Sequence, residues 1–400
     1  MIASERFRFN RMEMAGSLGD LGTLLPIAIA MVLFNGLDPL GLFFSIGVFY
    51  VVSGVYFGIT VPVQPMKVIG AYAIATAMSA GQILASMLLM GAFMLIIGLT
   101  GAIDLIRKIT PKAVIRGVQL STGALLISGG IKFMIGTSKY QVLQKAAEPY
   151  LSIQALGPIP IGLLIGSIAA VATLLLLDSK KFPAGLIVVV GGIIAGLVFG
   201  ARVNLDGGIG IYLPKILPFG FPEGADFTFA LFALVLPQLP MTLGNAVLAY
   251  TDLSKEYFGD RSVRVTNRKA CVSMALANFF SFCLGGMPLC HGAGGLAAHY
   301  RFGARTAGSN LMIGILFAAL AILLGPRIIR ILNLLPMSIL GVLLVFAGAQ
   351  LALTIMDLDN RKDYFVAALI LGTTLASNLA WGFIVGMIVA QLLKWDKLSV

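Results

Sequence analysis

Charge is what this sequence has least of. Asp, Glu, Lys and Arg together make up 11% of its 400 residues, against roughly 25% in an ordinary soluble domain. So few charges cannot solvate a globule of this size, which excludes the two or three soluble domains that length alone would suggest. Histidine is limited to two residues and cysteine to three. Cys271, Cys283 and Cys290 all fall in apolar sequence, so no disulfide framework is implied. There is no HExxH, no Ser/His/Asp arrangement and no dense Cys/His cluster, so the chain reads as neither an enzyme nor a holder of a metal or cofactor. The N-terminal MIASERFRFNRMEM is charged and lacks the apolar core of a secretory signal.

What is present is apolar sequence, 58% of the chain. Val68–Ile103, Pro149–Leu177, Phe227–Thr251, Ala270–Tyr300, Ile331–Met356 and Tyr364–Leu393 contain no charge at all. Each is long enough for the ~20-residue helix that crosses ~30 Å of hydrocarbon. The chain therefore reads as an all-α, polytopic membrane protein. Breaks at Gly, Pro and charge give about 14 segments, near 13–35, 40–60, 66–80, 82–102, 112–135, 158–177, 183–201, 227–250, 269–286, 291–302, 307–325, 336–355, 364–379 and 381–395. The longest polar stretch, 251–269, reads as a loop. A net charge of +11 would suit a nucleic-acid partner, but there is no basic stripe with interleaved aromatics. The basic residues sit in short connections. Arg6, Arg8, Arg11, Arg107, Lys108, Lys180, Lys181, Arg264, Arg268, Lys269, Arg301, Arg361 and Lys397 all fall on one side if the N-terminus is cytoplasmic. That bias predicts both termini in the cytosol. With no long N-terminal extension, the plasma (inner) membrane is expected.

Two halves resemble each other at a nearly constant shift. VPVQPMKVIGAYA lies over MPLCHGAGGLAAH, matching Pro62 to Pro288 and Ala71 to Ala297, and Pro111 matches Pro336. Asp20 precedes Pro62 by about the distance that separates Asn245 from Pro288. Seven spans per half is an odd number, so the second copy, 226–400, enters the membrane inverted relative to the first, 1–225. In inverted repeats, paired interrupted helices mark a binding site near the midplane. The third and tenth segments are too short to span and follow proline-containing breaks, which points to Pro62–Ala71 and Pro288–Ala298.

Each break starts a half-helix whose first N–H groups lack intrahelical partners, and such an end favours anions. Lys67 lies in the first turn of its half-helix, where the dipole disfavours a cation, so local stability does not explain it. Two helix ends and Lys67 would match a compact dianion. The competing reading is that Lys67 snorkels to the interface. Asp20, the other intramembrane charge, either pairs with Lys67 or carries a coupling proton. Gln64 sits at the first break. Cys290, His291, Gly292 and Ala293 open the second, with His291 expected to cap it or contact a ligand. Gln238 and Asn245, seven apart, fall on one helical face and either line the cavity or bond neighbouring helices. His291, His299 and Cys290 make only a weak metal pattern.

Four stretches, GDLGTLLPIA (19–28), PVQPMKVIGA (62–71), PQLPMTLGNAV (237–247) and GGMPLCHGAGGLAAHYRFGART (285–306), resemble the signatures of the molybdate transporter family. This family is a distant branch of the sulfate permease group that lacks its cytoplasmic STAS domain. His299 departs from the more usual Gln. The resemblance implies the seven-plus-seven fold shared with uracil permeases, with a core (about 13–102 and 227–325) moving against a gate (about 112–201 and 336–395). It also implies import of molybdate by alternating access. Proton coupling through Asp20 is a separate expectation, since protonation as the dianion binds would keep the pocket near neutral. Sulfate, another small oxyanion or a passive anion channel are the alternatives, and a homodimer is compatible with the fold.

Overall fold

The computed structural model describes residues 6–103, 111–176, 179, 184–201 and 210–395. Arg107, Lys108, Lys180, Lys181 and Lys397, used above for orientation, lie outside them. The described residues are mostly helical. Six helices are long and apolar enough to cross a membrane, and a bent pair near the N-terminus makes a seventh such unit.

The first segment is not the single helix expected over 13–35. Helix α1 (Arg11–Ser17) and α2 (Leu21–Asn35) meet at 45°. Between them the backbone tightens, with Gly19 N donating to Gly16 O and Leu21 N to Leu18 O. Asp20 sits at this break and is buried. Helix α3 (Pro39–Phe57) begins with the Asp38 side chain accepting from Gly41 N and proline in its first turn, an entry that suits a residue lacking N–H. The chain then runs extended into strand β1 (Gln64–Pro65) and the half-helix α4 (Lys67–Thr76), followed by α5 (Ala80–Thr100), whose start is a Ser79/Gln82 capping box. Next come α6 (Lys112–Ile135), the short α7 (Lys139–Gln144), a small hairpin of β2 (Ala155–Leu156) and β3 (Ile159–Pro160), α8 (Ile161–Leu176) and α9 (Ala184–Val198).

The second half opens with a continuous helix, α10 (Gly224–Ser262). It includes π-helical stretches at Leu231–Val235 and Thr242–Ala249 that flank Pro237 and Pro240. Proline removes an i→i−4 bond, and the wider π turns absorb the mismatch. The helix also continues through most of the stretch expected to be a loop from Thr251. Thr251, Ser254 and Phe258 are buried there, and Tyr257 stacks on Tyr300 with centroids 4.0 Å apart. Packing beyond the apolar span keeps the helix going. Helix α11 (Asn267–Cys283), strand β4 (Leu289–Cys290), half-helix α12 (Ala293–Arg301), α13 (Ala307–Leu324), α14 (Ile328–Leu332), α15 (Met337–Ala352), α16 (Arg361–Ala376) and α17 (Leu379–Leu392) complete the order.

The packing is reciprocal between halves. Helix α3 packs on α13 and α5 on α11, two contacts that exchange under the repeat. Helices α6 and α15, equivalent to each other, cross through glycines. A methyl on Gly123 would lie 2.5 Å from Gly348 O, and one on Gly348 would lie 2.6 Å from Gly123 O. Small residues let membrane helices approach this closely. At the centre β1 and β4 run antiparallel with Gln64 opposite Cys290, and those two residues also match under the repeat shift of 226. An antiparallel pair whose members are repeat equivalents is what an inverted duplication produces on its axis.

Candidate binding site between the half-helices

The β1/β4 crossing turns α4 and α12 away from a common point inside the molecule. Around it lie two adjoining cavities of about 340 Å³ and 220 Å³, both bordered by Thr23, Lys67, Gly294, Ala347 and Gln350. The larger follows α12 from Gly294 to Arg301 and also meets Asp20 and Gln64. The smaller reaches Gln119 and Asn245. Lys67 is half-buried and, among the described residues, has no carboxylate within ion-pair distance. The expected Asp20–Lys67 pairing is therefore not a direct contact.

Asp20 is instead joined to the first break. Gln64 Nε2 donates to Asp20 Oδ1 at 2.7 Å, while Asp20 Oδ2 and Gln64 Oε1 are buried with no hydrogen-bond partner. Both side chains press against the start of α12. A methyl on Gly292 would lie 1.8 Å from Gln64 Oε1, and one on Gly295 would lie 2.5 Å from Asp20 Oδ2. Glycine is required at both positions because a polar pair occupies the space a side chain would fill. Gly294, by contrast, faces open space and borders both cavities.

The two half-helix ends are not alike. Gln238 Oε1 accepts from Val68 N at 2.9 Å and Ile69 N at 3.2 Å, and its Nε2 donates to Thr242 Oγ1 at 2.8 Å. The amide thus serves as a cap for α4 from the adjacent helix, satisfying donors that a helix start otherwise leaves open. Gln238 borders neither cavity, whereas Asn245 borders the smaller. Of the two readings open for this pair, Gln238 takes the bond between helices and Asn245 the cavity.

The residues that open the second break lie elsewhere. His291 is buried away from both cavities and caps nothing. Its Nδ1 bonds Pro62 O at 3.0 Å and its Nε2 bonds Ser273 Oγ at 3.1 Å, and its ring packs among Phe49, Phe57 and Tyr250. Gly292, not His291, holds the cap position of α12. Cys290 is buried in the strand pair, with Sγ 3.5 Å from Pro65 O, and Gly292 and Ala293 border neither cavity. His299 stacks on Tyr50 and bonds Thr60 Oγ1 at 2.9 Å. Thr23, Gln119, Thr173, Gln350 and Thr354 line the cavities and were missed. Polar residues inside apolar spans, the signal used for Gln238, could have found the two glutamines. Arg301, read as an anchor at the membrane surface, also borders the larger cavity.

Apolar spans, crossed half-helices and a polar central cavity define an integral, multi-pass membrane protein of inverted-repeat architecture. Residues 12–126 and 230–351 match the family described as "Molybdate transporter of MFS superfamily", and the chain belongs to this molybdate transporter family. It is 31% identical to Molybdate transporter 2 of Arabidopsis thaliana, over 97% of this chain and 88% of that one. It is also 31% identical to Molybdate transporter 1 of Chlamydomonas reinhardtii, over 94% and 90%. Among solved structures, the transmembrane domain of the cyanobacterial bicarbonate transporter BicA superposes with a TM-score of 0.64 at 16% identity, over 95% of this chain and 97% of that one. Murine Slc26a9, an anion transporter in an inward-facing state, superposes with a TM-score of 0.66 at 14% identity, over 98% and 69%. Both likenesses concern the fold.

Proposed function

We propose that this protein is a secondary transporter that imports molybdate, bound as a tetrahedral dianion beside Lys67. The observation that carries the reading is Lys67 itself: an intramembrane cation with no carboxylate within ion-pair distance among the described residues, on the wall shared by both cavities with Gly294. A charge inside a membrane is costly and marks a binding or transport path. The N-terminus of α12 adds roughly half a positive charge. Family membership supports the choice of cargo.

Asp20 supplies the coupling. When ionised it offsets Lys67 and leaves the site short of charge for a dianion. Protonated, it leaves Lys67 and the α12 end to balance the anion, so a proton accompanies the cargo. The moving parts are a core of about 13–102 and 227–325 and a gate of about 112–201 and 336–395. Asp20, Gln64, Lys67 and Gly294 line the cavities from the core, and Gln119, Thr173 and Gln350 from the gate. The larger cavity runs along α12 toward Arg301, the face that also carries α1. With both termini in the cytosol of a plasma membrane protein, this is the inward-facing arrangement.

The test is calorimetric titration of molybdate into purified protein, with sulfate as competitor, for wild type and Lys67→Ala. Tight binding that survives excess sulfate and collapses in the variant is expected. Equal competition by sulfate would make the protein a general oxyanion carrier, and the absence of binding by either anion would overturn the dianion site.

A further inference from the structure

A second concave surface, mostly apolar, lies away from the half-helices. A groove of about 660 Å³ runs between α3 and α11 on the outside of the helix bundle. Val52 and Leu276 on its walls are 58% and 59% exposed, in a region that faces hydrocarbon once the spans are in a membrane. From Arg268 to Phe280 the groove follows α11 for about 18 Å at 1.5 Å per residue, slightly more than half of the ~30 Å hydrocarbon core. It is therefore as long as one leaflet. Its chemistry is graded along that length. Phe280, Ala277 and Val48 lie at the mid-bilayer end, whereas Tyr56, Arg268 and Lys269 lie at the end where α3 finishes and α11 begins.

Neither Arg268 nor Lys269 has a side-chain partner among the described residues, and Arg264 beside them reaches Tyr56 O at 3.2 Å. The groove thus ends in a basic group with no facing carboxylate among the described residues, at the depth where lipid headgroups sit. A flat apolar face would accept any lipid tail. A leaflet-long furrow with two cations at its polar end is matched to one whole amphiphile. We propose that this groove is a specific site for an anionic glycerophospholipid, with an acyl chain between α3 and α11 and its phosphate against Arg268 and Lys269. The floor of the groove includes Ser273 and Phe49, which contact His291 behind β4, so the lipid would support the helices that hold the strand crossing.

Native mass spectrometry of the full chain tests this, using palmitoyl-oleoyl phosphatidylglycerol and phosphatidylcholine as probes. Wild type is expected to retain phosphatidylglycerol preferentially. The double variant Arg268→Gln/Lys269→Gln is expected to reduce that preference about 30-fold, the equivalent of two cation contacts at a membrane surface. Val52→Trp, a change at an exposed wall position that leaves the charges in place, is expected to reduce retention of phosphatidylglycerol by filling the furrow. Circular dichroism and unfolding temperature establish that both variants are folded. Equal retention of the two lipids by wild type, an undiminished preference in the double variant, or full retention by Val52→Trp would each overturn the proposal.

Discussion

Asp20 and Gln64 are joined across two helix breaks: Gln64 Nε2 donates to Asp20 Oδ1 at 2.7 Å, and the remaining oxygen of each is buried without a partner. The pair rests on the backbone at the start of α12, where Gly292 and Gly295 leave room for it. Much of the expected behaviour of the site follows from this contact.

Gly295→Ala would force a methyl to 2.5 Å from Asp20 Oδ2, 2.7 Å from Pro62 Cβ and 2.8 Å from Gln64 Nε2. Overpacking of this kind costs about 1–3 kcal/mol. Transport is expected to be lost together with a lower unfolding temperature. Gly294→Ala is the control, since nothing lies within 4 Å of its added methyl. It is expected to unfold no earlier than wild type while weakening anion binding, because the methyl enters both cavities.

Gln238→Leu removes the acceptor for Val68 N and Ile69 N. A buried donor left unpaired costs about 1–3 kcal/mol, so the unfolding temperature is expected to fall. Gln238→Glu keeps the acceptor and should retain more stability than the leucine variant. If both unfold at the wild-type temperature, the cap has no energetic weight.

Proton coupling through Asp20 predicts that uptake by wild type rises as the external pH is lowered. In Asp20→Asn the group is permanently neutral, so binding of molybdate should persist while the pH dependence of uptake disappears. Isotope uptake into proteoliposomes at several imposed pH gradients reads both. Wild-type uptake that ignores pH would remove Asp20 from the mechanism.

Glu148, in the connection after α7, is buried and holds the start of α15, its two carboxylate oxygens accepting from Met337 N at 2.7 Å and Ser338 N at 2.9 Å. Burial raises its pKa above the ordinary 4.5, against the lowering effect of the hydrogen bonds from Ser338 and Met337. A carboxyl raised in the folded state contributes most stability below pH 4.5, and that contribution declines as pH climbs through the folded value. The unfolding temperature of wild type should therefore fall relative to Glu148→Gln as pH rises above 4.5. Parallel pH profiles for the two proteins would contradict this.

The membrane class, the two short segments after proline breaks and the pairing of 62–71 with 288–298 were legible in the sequence. They depend on hydropathy, on proline lacking an N–H and on repeated spacing, which are properties of neighbouring residues. Asp20, Gln64, Lys67 and Asn245 stand out in the sequence as polar groups in apolar spans, and all four border the cavities. Gln119 and Gln350 carry the same signal but lie far in sequence from the half-helices.

Which way those polar groups turn was decided only by tertiary structure. In α10, Gln238 bonds the α4 end while Asn245 borders a cavity, a division that a seven-residue spacing cannot reveal. His291 is drawn into a ring of Phe49, Phe57 and Tyr250 contributed by α3 and α10. The break at Asp20 is held open by its partner Gln64, 44 residues away. Local sequence sets where a membrane helix starts and stops. The direction of a buried polar side chain depends on which distant helix offers it a hydrogen bond, since hydrocarbon offers none.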